Sequence, residues 1–261
     1  MKLHYLKLVA IISIVIISFN SHAALISYDL LTANSLPQLS YSNPHSGNFS
    51  SNDDGFQIYQ QGANAPKALL DKSRLLPADN LGIITSKNTQ AYFGIVDSVN
   101  PDNPNSEAVA SWQINIENLS AIKLFIDMAA MGDFESSDEF FWHYSIDNNP
   151  YSTIFQGMSN ESTRQNYRLE NKSLVSLNDP MMVNSQLLSN EFQAFSSSIL
   201  DTGNMLTLEL RAKANGGSEA IAFQNILIQG MSNTVTVTEP KSLAMLLFAG
   251  VLFMLKRQFN Y

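Results

Sequence analysis

The chain of 261 residues sets 15 Lys and Arg against 23 Asp and Glu, a formal charge of −8, and contains no cysteine. An acidic balance repels phosphate backbones and argues against nucleic-acid binding, and without thiols neither a disulfide framework nor a thiolate zinc site can form. The length suits a single β-sandwich or jelly roll able to bury a sizeable core.

The N-terminus carries Lys2 and Lys7, then a nearly continuous apolar run from Leu8 to Phe19, then Ser21-His22-Ala23 with small residues where a signal peptidase reads. This pattern predicts a secretory signal peptide over residues 1–23, with cleavage by signal peptidase between Ala23 and Ala24. The apolar run is about 12 residues, short of the ~20 that a spanning helix needs. Between the two end segments, residues 24–240 keep 10 of the 15 basic residues and all 23 acidic ones, a net charge of about −13.

From Leu25 to Asn52 the sequence is rich in Ser, Asn and Pro and predicts loops and an edge strand near Leu36–Tyr41. Asn52-Asp53-Asp54-Gly55 is a turn signal, and Phe56–Tyr59 alternates as a strand. Ala65–Leu76 reads as a short helical turn or irregular loop, and Leu81–Thr85 and Ala91–Val96 as strands enriched in β-branched and aromatic residues. Asp97–Asn105 is a loop whose oxygens suit water or calcium, although it lacks the regular aspartate spacing of a calcium loop.

Trp112–Ile116 alternates, and Ile122, Leu124, Ile126 and Met128 share one strand face, so these two runs are expected to pair. Asp133, Glu135, Asp138 and Glu139 then place four acids in seven positions, followed by the aromatic strand Phe140–Ile146. Charges this close are either solvated or neutralised by a cation, which makes Asp133, Glu135 and Asp138 candidate calcium ligands. Ser152–Gln156 reads as a strand. Gly157–Leu188 is polar and mixed, without a clear assignment, and holds Arg164, Arg168 and Lys172 as a small basic patch. Phe192–Ile199 is strand-like, and Leu206, Leu208 and Leu210 alternate with Thr207, Glu209 and Arg211 in a half-buried strand. In the last strand, Ala220–Gln229, Ile221, Phe223 and Asn225 fall on one face and Ala222, Gln224, Ile226 and Ile228 on the other. A hairpin through Gly216-Gly217 is the expected join.

The C-terminal segment has three parts in order: Thr238-Glu239-Pro240, the uncharged apolar run Ser242–Leu255, and the basic pair Lys256-Arg257. The apolar run predicts a hydrophobic helix over 242–255 entering the membrane, with the basic pair on the cytoplasmic side. The arrangement resembles the PEP-CTERM sorting domain, with Thr238 in place of the first proline of its signature. That resemblance implies recognition by an exosortase-type processing enzyme, in bacteria that make an extracellular polysaccharide matrix.

A second resemblance runs from Met131-Gly132-Asp133-Phe134-Glu135 through Tyr144-Ser145-Ile146-Asp147 and Leu206-Thr207-Leu208 to Gly217-Ser218-Glu219-Ala220 and Asn225-Ile226. These phrases look like a jelly-roll module of secreted bacterial proteins, found beside extracellular hydrolases and in matrix-sorted proteins, some relatives of which bind carbohydrate. The last strand of that module usually reads Asp-Asn-Ile, and Gln224 stands here in place of the aspartate.

Residues 24–261 hold two histidines, His45 and His143, in no zinc-binding spacing. Gly157-Met158-Ser159-Asn160-Glu161 lacks the second glycine of a nucleophile elbow, and no phosphate-binding glycine loop occurs. Glu135, Asp138 and Glu139 are the first candidates should a carboxylate pair hydrolyse glycosides. Alternation sets Phe140, Trp142 and Tyr144 against Phe141 and His143, so one set fills the core and the other offers rings to a sugar. The combined reading is an antiparallel, jelly-roll-like β-sandwich over residues 24–231, a spacer over 232–236 and a sorting tail over 237–261, flanked by the signal helix and the hydrophobic helix. Its expected function is that of a non-enzymatic surface or matrix protein binding glycan or calcium, with exopolysaccharide as a partner. The alternative is an extracellular carboxylate-dependent hydrolase acting on polysaccharide.

Overall fold

Period-two alternation governs the structure, a computed structural model that describes residues 24–35, 37–60, 64–74, 82–104, 107–199 and 201–232. The signal peptide with Ala23, and the sorting tail with Thr238, Glu239, Pro240, the 242–255 helix, Lys256 and Arg257, lie outside these residues. Among the described residues no helix is long and apolar enough to cross a membrane. They form fifteen strands: β1 (Leu25–Asp29), β2 (Leu39–Ser42), β3 (Gly55–Tyr59), β4 (Tyr92–Val96), β5 (Ala108–Asn115), β6 (Leu119–Met131), β7 (Glu139–Ile146), β8 (Ser152–Ser159), β9 (Arg164–Arg168), β10 (Leu174–Asn178), β11 (Met181–Val183), β12 (Gln186–Leu187), β13 (Gln193–Ser198), β14 (Met205–Lys213) and β15 (Ala220–Ser232). Short 3-10 turns occupy Leu30–Ser35 and Lys67–Leu69.

A six-stranded antiparallel sheet runs β13-β6-β15-β4-β3, with β1 also paired to β15, and faces a seven-stranded antiparallel sheet ordered β12-β11-β8-β7-β14-β5-β2. Trp112, Trp142, Phe140, Leu206, Leu208 and Leu210 from the second sheet meet Leu124 and Ile126 of β6 and Ile221 and Phe223 of β15 in one core. Trp112 and Trp142 stack there with centroids 5.5 Å apart, and Trp112 Nε1 donates to Leu30 O at 3.0 Å. Leu25–Met231 pack as one unit; of the other, Ala24 and Ser232 are described, with Ser232 N donating to Ala24 O at 2.8 Å.

Two expected pairings are overturned and one expected strand is reduced. The Trp112 and Ile122–Met128 runs do not pair, because β5 bonds to β14 and β2 while β6 lies in the opposite sheet. β14 and β15 likewise belong to different sheets, so the Gly216-Gly217 segment is a corner between layers and not a hairpin. Both strand pairs have an apolar face toward the same core, and facing each other across it buries that face as fully as pairing would. The expected strand at Leu81–Thr85 reduces, among its described residues, to a single parallel bridge between Leu70 and Ile84.

The alternation of β15 also differs from expectation. Asn225 adopts φ 49°, which steps the pattern by one residue, so Ile221 and Phe223 share the core with Ile226 and Ile228. Ala121, φ 50°, does the same between Leu119 and Ile122 in β6. Gly157–Leu188, unassigned from sequence, supplies the end of β8, the β9–β10 hairpin, β11 and β12.

The outer face of the six-stranded sheet is apolar and covered. Ala129, Met131, Ala220 and Ala222 pack in a second cluster with Tyr59, Tyr92, Leu69, Ile83, Tyr167 and Leu169. The hairpin is tied to the Leu69 segment by the buried Asp71 carboxylate, which accepts from Ser73 N and Oγ and from Glu170 N at 3.1, 2.6 and 2.6 Å. The outer face of the seven-stranded sheet carries no such cover among the described residues.

Candidate functional site

Two places collect chemistry-bearing side chains. The first is at the corners. β6 crosses to β7 through Gly132–Asp138, and β14 crosses back to β15 through Ala214–Glu219. Because β6 neighbours β15 in one sheet and β7 neighbours β14 in the other, the two crossings lie side by side.

Carboxylate oxygens of Glu135, Asp138 and Glu219 all lie within 4.8 Å of one another there. Asp138 caps its own turn: Glu135 N donates to Asp138 Oδ2 at 2.8 Å, and Asp138 N donates to Glu135 O at 2.9 Å. Asn215 N donates to Asp138 Oδ1 at 3.2 Å, and the Asn215 side-chain amide comes within 3.2 Å of both Glu135 Oε2 and Asp138 Oδ1. Asp138 and Glu219 are buried, Glu135 is exposed, and Glu219 Oε2 is sealed from water with no hydrogen-bond partner.

Burial raises the Asp138 pKa to about 6, helped by its hydrogen bond with Glu135. Burial pushes Glu219 up to about 9, with repulsion from Asp138 and Glu135 adding to it. The hydrogen bond from Asp138 holds Glu135 below the usual glutamate value. The Glu219 side chain fits because two glycines make room: a Cβ on Gly216 would stand 2.4 Å from its Cδ, and one on Gly132 would stand 2.8 Å from its Cγ.

Of the residues expected from sequence, Glu135 and Asp138 are brought together and Asp133 is not; Asp133 is exposed and outside the cluster. Glu139 pairs with Lys213 at 3.0 Å. Sequence reasoning missed Glu219, which read only as the end of a glycine turn; its position just before the last strand, opposite the acidic loop, depends on the corner topology. Gln224 is buried, and its Nε2 donates to Asn88 Oδ1 at 3.0 Å. In the described part of the Asp97–Asn105 loop, Asp102 accepts from Ser50 N and Oγ at 2.7 and 2.6 Å and Asp97 O accepts from Asn100 Nδ2 at 2.8 Å.

The second place is the outer face of the seven-stranded sheet. Strand register sets Gln156, Phe141, Arg211 and Val109 in one row and Thr153, His143, Glu209 and Ser111 in the next. Phe141 and His143 stack with centroids 5.3 Å apart and planes 9° apart, and Tyr151, 48% exposed, stands edge-on to His143 at 6.4 Å. Arg211 binds Glu107 at 3.0 Å and also Glu209, which is buried although its strand face was expected to be solvated. Thr153 Oγ1 is 3.1 Å from His143 Nδ1, and burial and then the Arg211 charge lower the histidine's pKa. The result is a ring platform edged by planar polar groups. Phe140 and Trp142 are the core-facing set, with Tyr144 half-buried and its hydroxyl on Asp201 at 2.9 Å.

His143 and Ser159 do not meet: Thr153 is the partner of His143, and Ser159 lies six residues further along β8, roughly 20 Å away at ~3.3 Å per residue. An open cleft of about 450 Å³ is lined by Ser136, Glu139, Ser159, Glu161 and Met182, and the buried acids Asp138 and Glu219 do not line it.

No family model matches the chain, and no curated protein is significantly similar to it. Among solved structures, TmCBM61 in complex with beta-1,4-galactotriose aligns at 4% identity and a TM-score of 0.33, over 74% of this chain and 88% of that one. The K2 cleaved adhesin domain of Lys-gingipain aligns at 11% identity and 0.37, over 79% and 97%. An exo-beta-agarase aligns at 8% identity and 0.32, over 80% of this chain and 25% of the enzyme.

Proposed function

We propose that the chain is an exported, non-enzymatic surface or matrix protein whose sandwich binds an extended glycan across the outer face of the seven-stranded sheet. The observation that carries this reading is the Phe141–His143–Tyr151 strip beside Glu107, Arg211 and Glu209. A pyranose ring has an apolar C–H face that covers an aromatic ring and equatorial hydroxyls that need donors and acceptors in a plane. A strip of one exposed and two half-buried rings next to fixed charged groups meets both needs.

The N-terminal pattern around Ala23 and Ala24 supports export by the signal-peptide route, and the Glu239-Pro240, apolar and Lys256-Arg257 order supports sorting by an exosortase-type enzyme. The divided acidities of the corner acids are what a glycosidase would use, yet Asp138 and Glu219 are buried and do not line the open cleft of Ser136, Glu139 and Ser159. That burial favours the binding reading over the hydrolase.

Affinity electrophoresis of the full chain, in detergent, through gels containing plant and bacterial polysaccharides tests the proposal. At least one polysaccharide is expected to retard the chain, with retardation lost at least tenfold in the Phe141→Ala/Tyr151→Ala variant and no reducing ends released. Undiminished retardation of that variant overturns the assignment of the face; released reducing ends overturn the non-enzymatic reading.

A further inference from the structure

The corner acids are unlike a solvated acidic loop. Three carboxylates converge where two chain crossings meet, and among the described residues none of them forms an ion pair with a basic side chain. Glu219 is only 5% exposed, and its Oε2 is shut off from water and from every protein donor. An ionised oxygen without a partner in such a place is strongly disfavoured unless something positive meets it. The side chain is not there by default: Gly132 and Gly216 together leave the slot that directs it at Asp138 and Glu135. The Asn215 amide stands at the same point, within 3.2 Å of oxygens of both other acids, and its carbonyl can turn toward a cation.

We propose that Glu135, Asp138, Glu219 and Asn215 form a binding site for a divalent cation of the calcium class, which clamps the two interlayer corners. The ligand set is all oxygen and contains no imidazole or thiolate, so it suits a hard cation. Donors spread over two loops, with exposed Glu135 leaving one side to water, match the six to eight adaptable ligands of calcium better than the strict octahedron of magnesium. Asp133 is not a ligand. This site is independent of the glycan face, and either can stand without the other.

The experiment is a calorimetric titration of calcium chloride into the detergent-solubilised full chain after chelator treatment, paired with thermal melts in calcium, in magnesium and in chelator. The wild-type chain is expected to take up one equivalent with a micromolar to millimolar Kd and to melt higher in calcium than in either other condition. Glu219→Gln should weaken calcium at least tenfold, and Asp133→Asn should leave it unchanged. Absence of both heat and melting shift in the wild type overturns the site, as does calcium affinity undiminished by Glu219→Gln. Loss of binding in Asp133→Asn with retention in Glu219→Gln overturns the ligand set, and equal response to magnesium overturns the calcium class. Should Glu219→Gln fail to fold, Glu135→Gln, at the exposed ligand, is read by the same criteria.

Discussion

The sharpest perturbation of the corner is Gly216→Ala, because it adds one methyl group and removes no ligand. A Cβ there would stand 2.4 Å from Glu219 Cδ and Oε1 and 2.5 Å from Oε2. Ordinary carbon contacts are ~3.5 Å or more, so the carboxylate must withdraw by about 1 Å. Calcium–oxygen distances span only ~2.3–2.6 Å, so a shift of that size takes Glu219 out of coordination. The expected loss of calcium affinity is about tenfold or more, which is roughly 1.4 kcal/mol.

Without calcium the same change should cost little, because the atoms displaced are the far end of one flexible side chain. Gly216 does not have positive φ, so alanine fits its backbone and restricts the unfolded chain, worth about 0.4–1 kcal/mol of stability. Differential scanning calorimetry in chelator and in saturating calcium separates the effects. The variant should melt at or above the wild type in chelator and show a clearly smaller rise on adding calcium. An identical calcium-induced rise in both proteins would refute the reasoning, as would an equal drop in both conditions, which would make the substitution a packing defect.

Two further outcomes test the rest of the structure. Trp112→Phe should cost about 1 kcal/mol more than Trp142→Phe by urea unfolding, because the first leaves the Leu30 carbonyl without its donor while Trp142 Nε1 has no partner to lose; equal costs would contradict this. Asp54 and Asp97 are both raised, chiefly by burial and then by neighbouring acids, Asp102 and Asp53 for the first and Asp54 for the second. A raised carboxyl contributes stability at low pH that is lost as pH climbs through the raised value. Asp54→Asn, which keeps an oxygen for Asn100, should therefore gain about 0.5 kcal/mol on the wild type at pH 7 and lose that advantage toward pH 3; a pH-independent difference would argue against it.

Strand identity was largely legible from residues, since Trp112–Ile116, Ile122–Met128 and Leu206–Leu210 each alternate cleanly and each proves to be a strand. Partner choice was not. Alternation marks which face is buried but is silent on whether the next strand lies beside it or across the core, and the Gly216-Gly217 segment serves a corner as readily as a hairpin. Left-handed Asn225 and Ala121 step the pattern without a glycine to signal it. Glu135 and Asp138 were visible because they sit three residues apart on one turn; Glu219 comes from 81 positions beyond Asp138 and joins them only through topology.

The register of β1 on β15 pairs Leu25 with Met231, so the start of β1 and the end of β15 lie side by side, while β15 begins at the corner with Ala220. Thirteen residues at ~3.3 Å each put about 40 Å of strand between that corner and the exit at Ser232. A sandwich held by its C-terminal end and pulled by a bound polymer would carry the load along β15, peeling β1 away first and reaching the corner last. An ion there would act as a rivet at the far end of the seam, setting the force at which the two layers part.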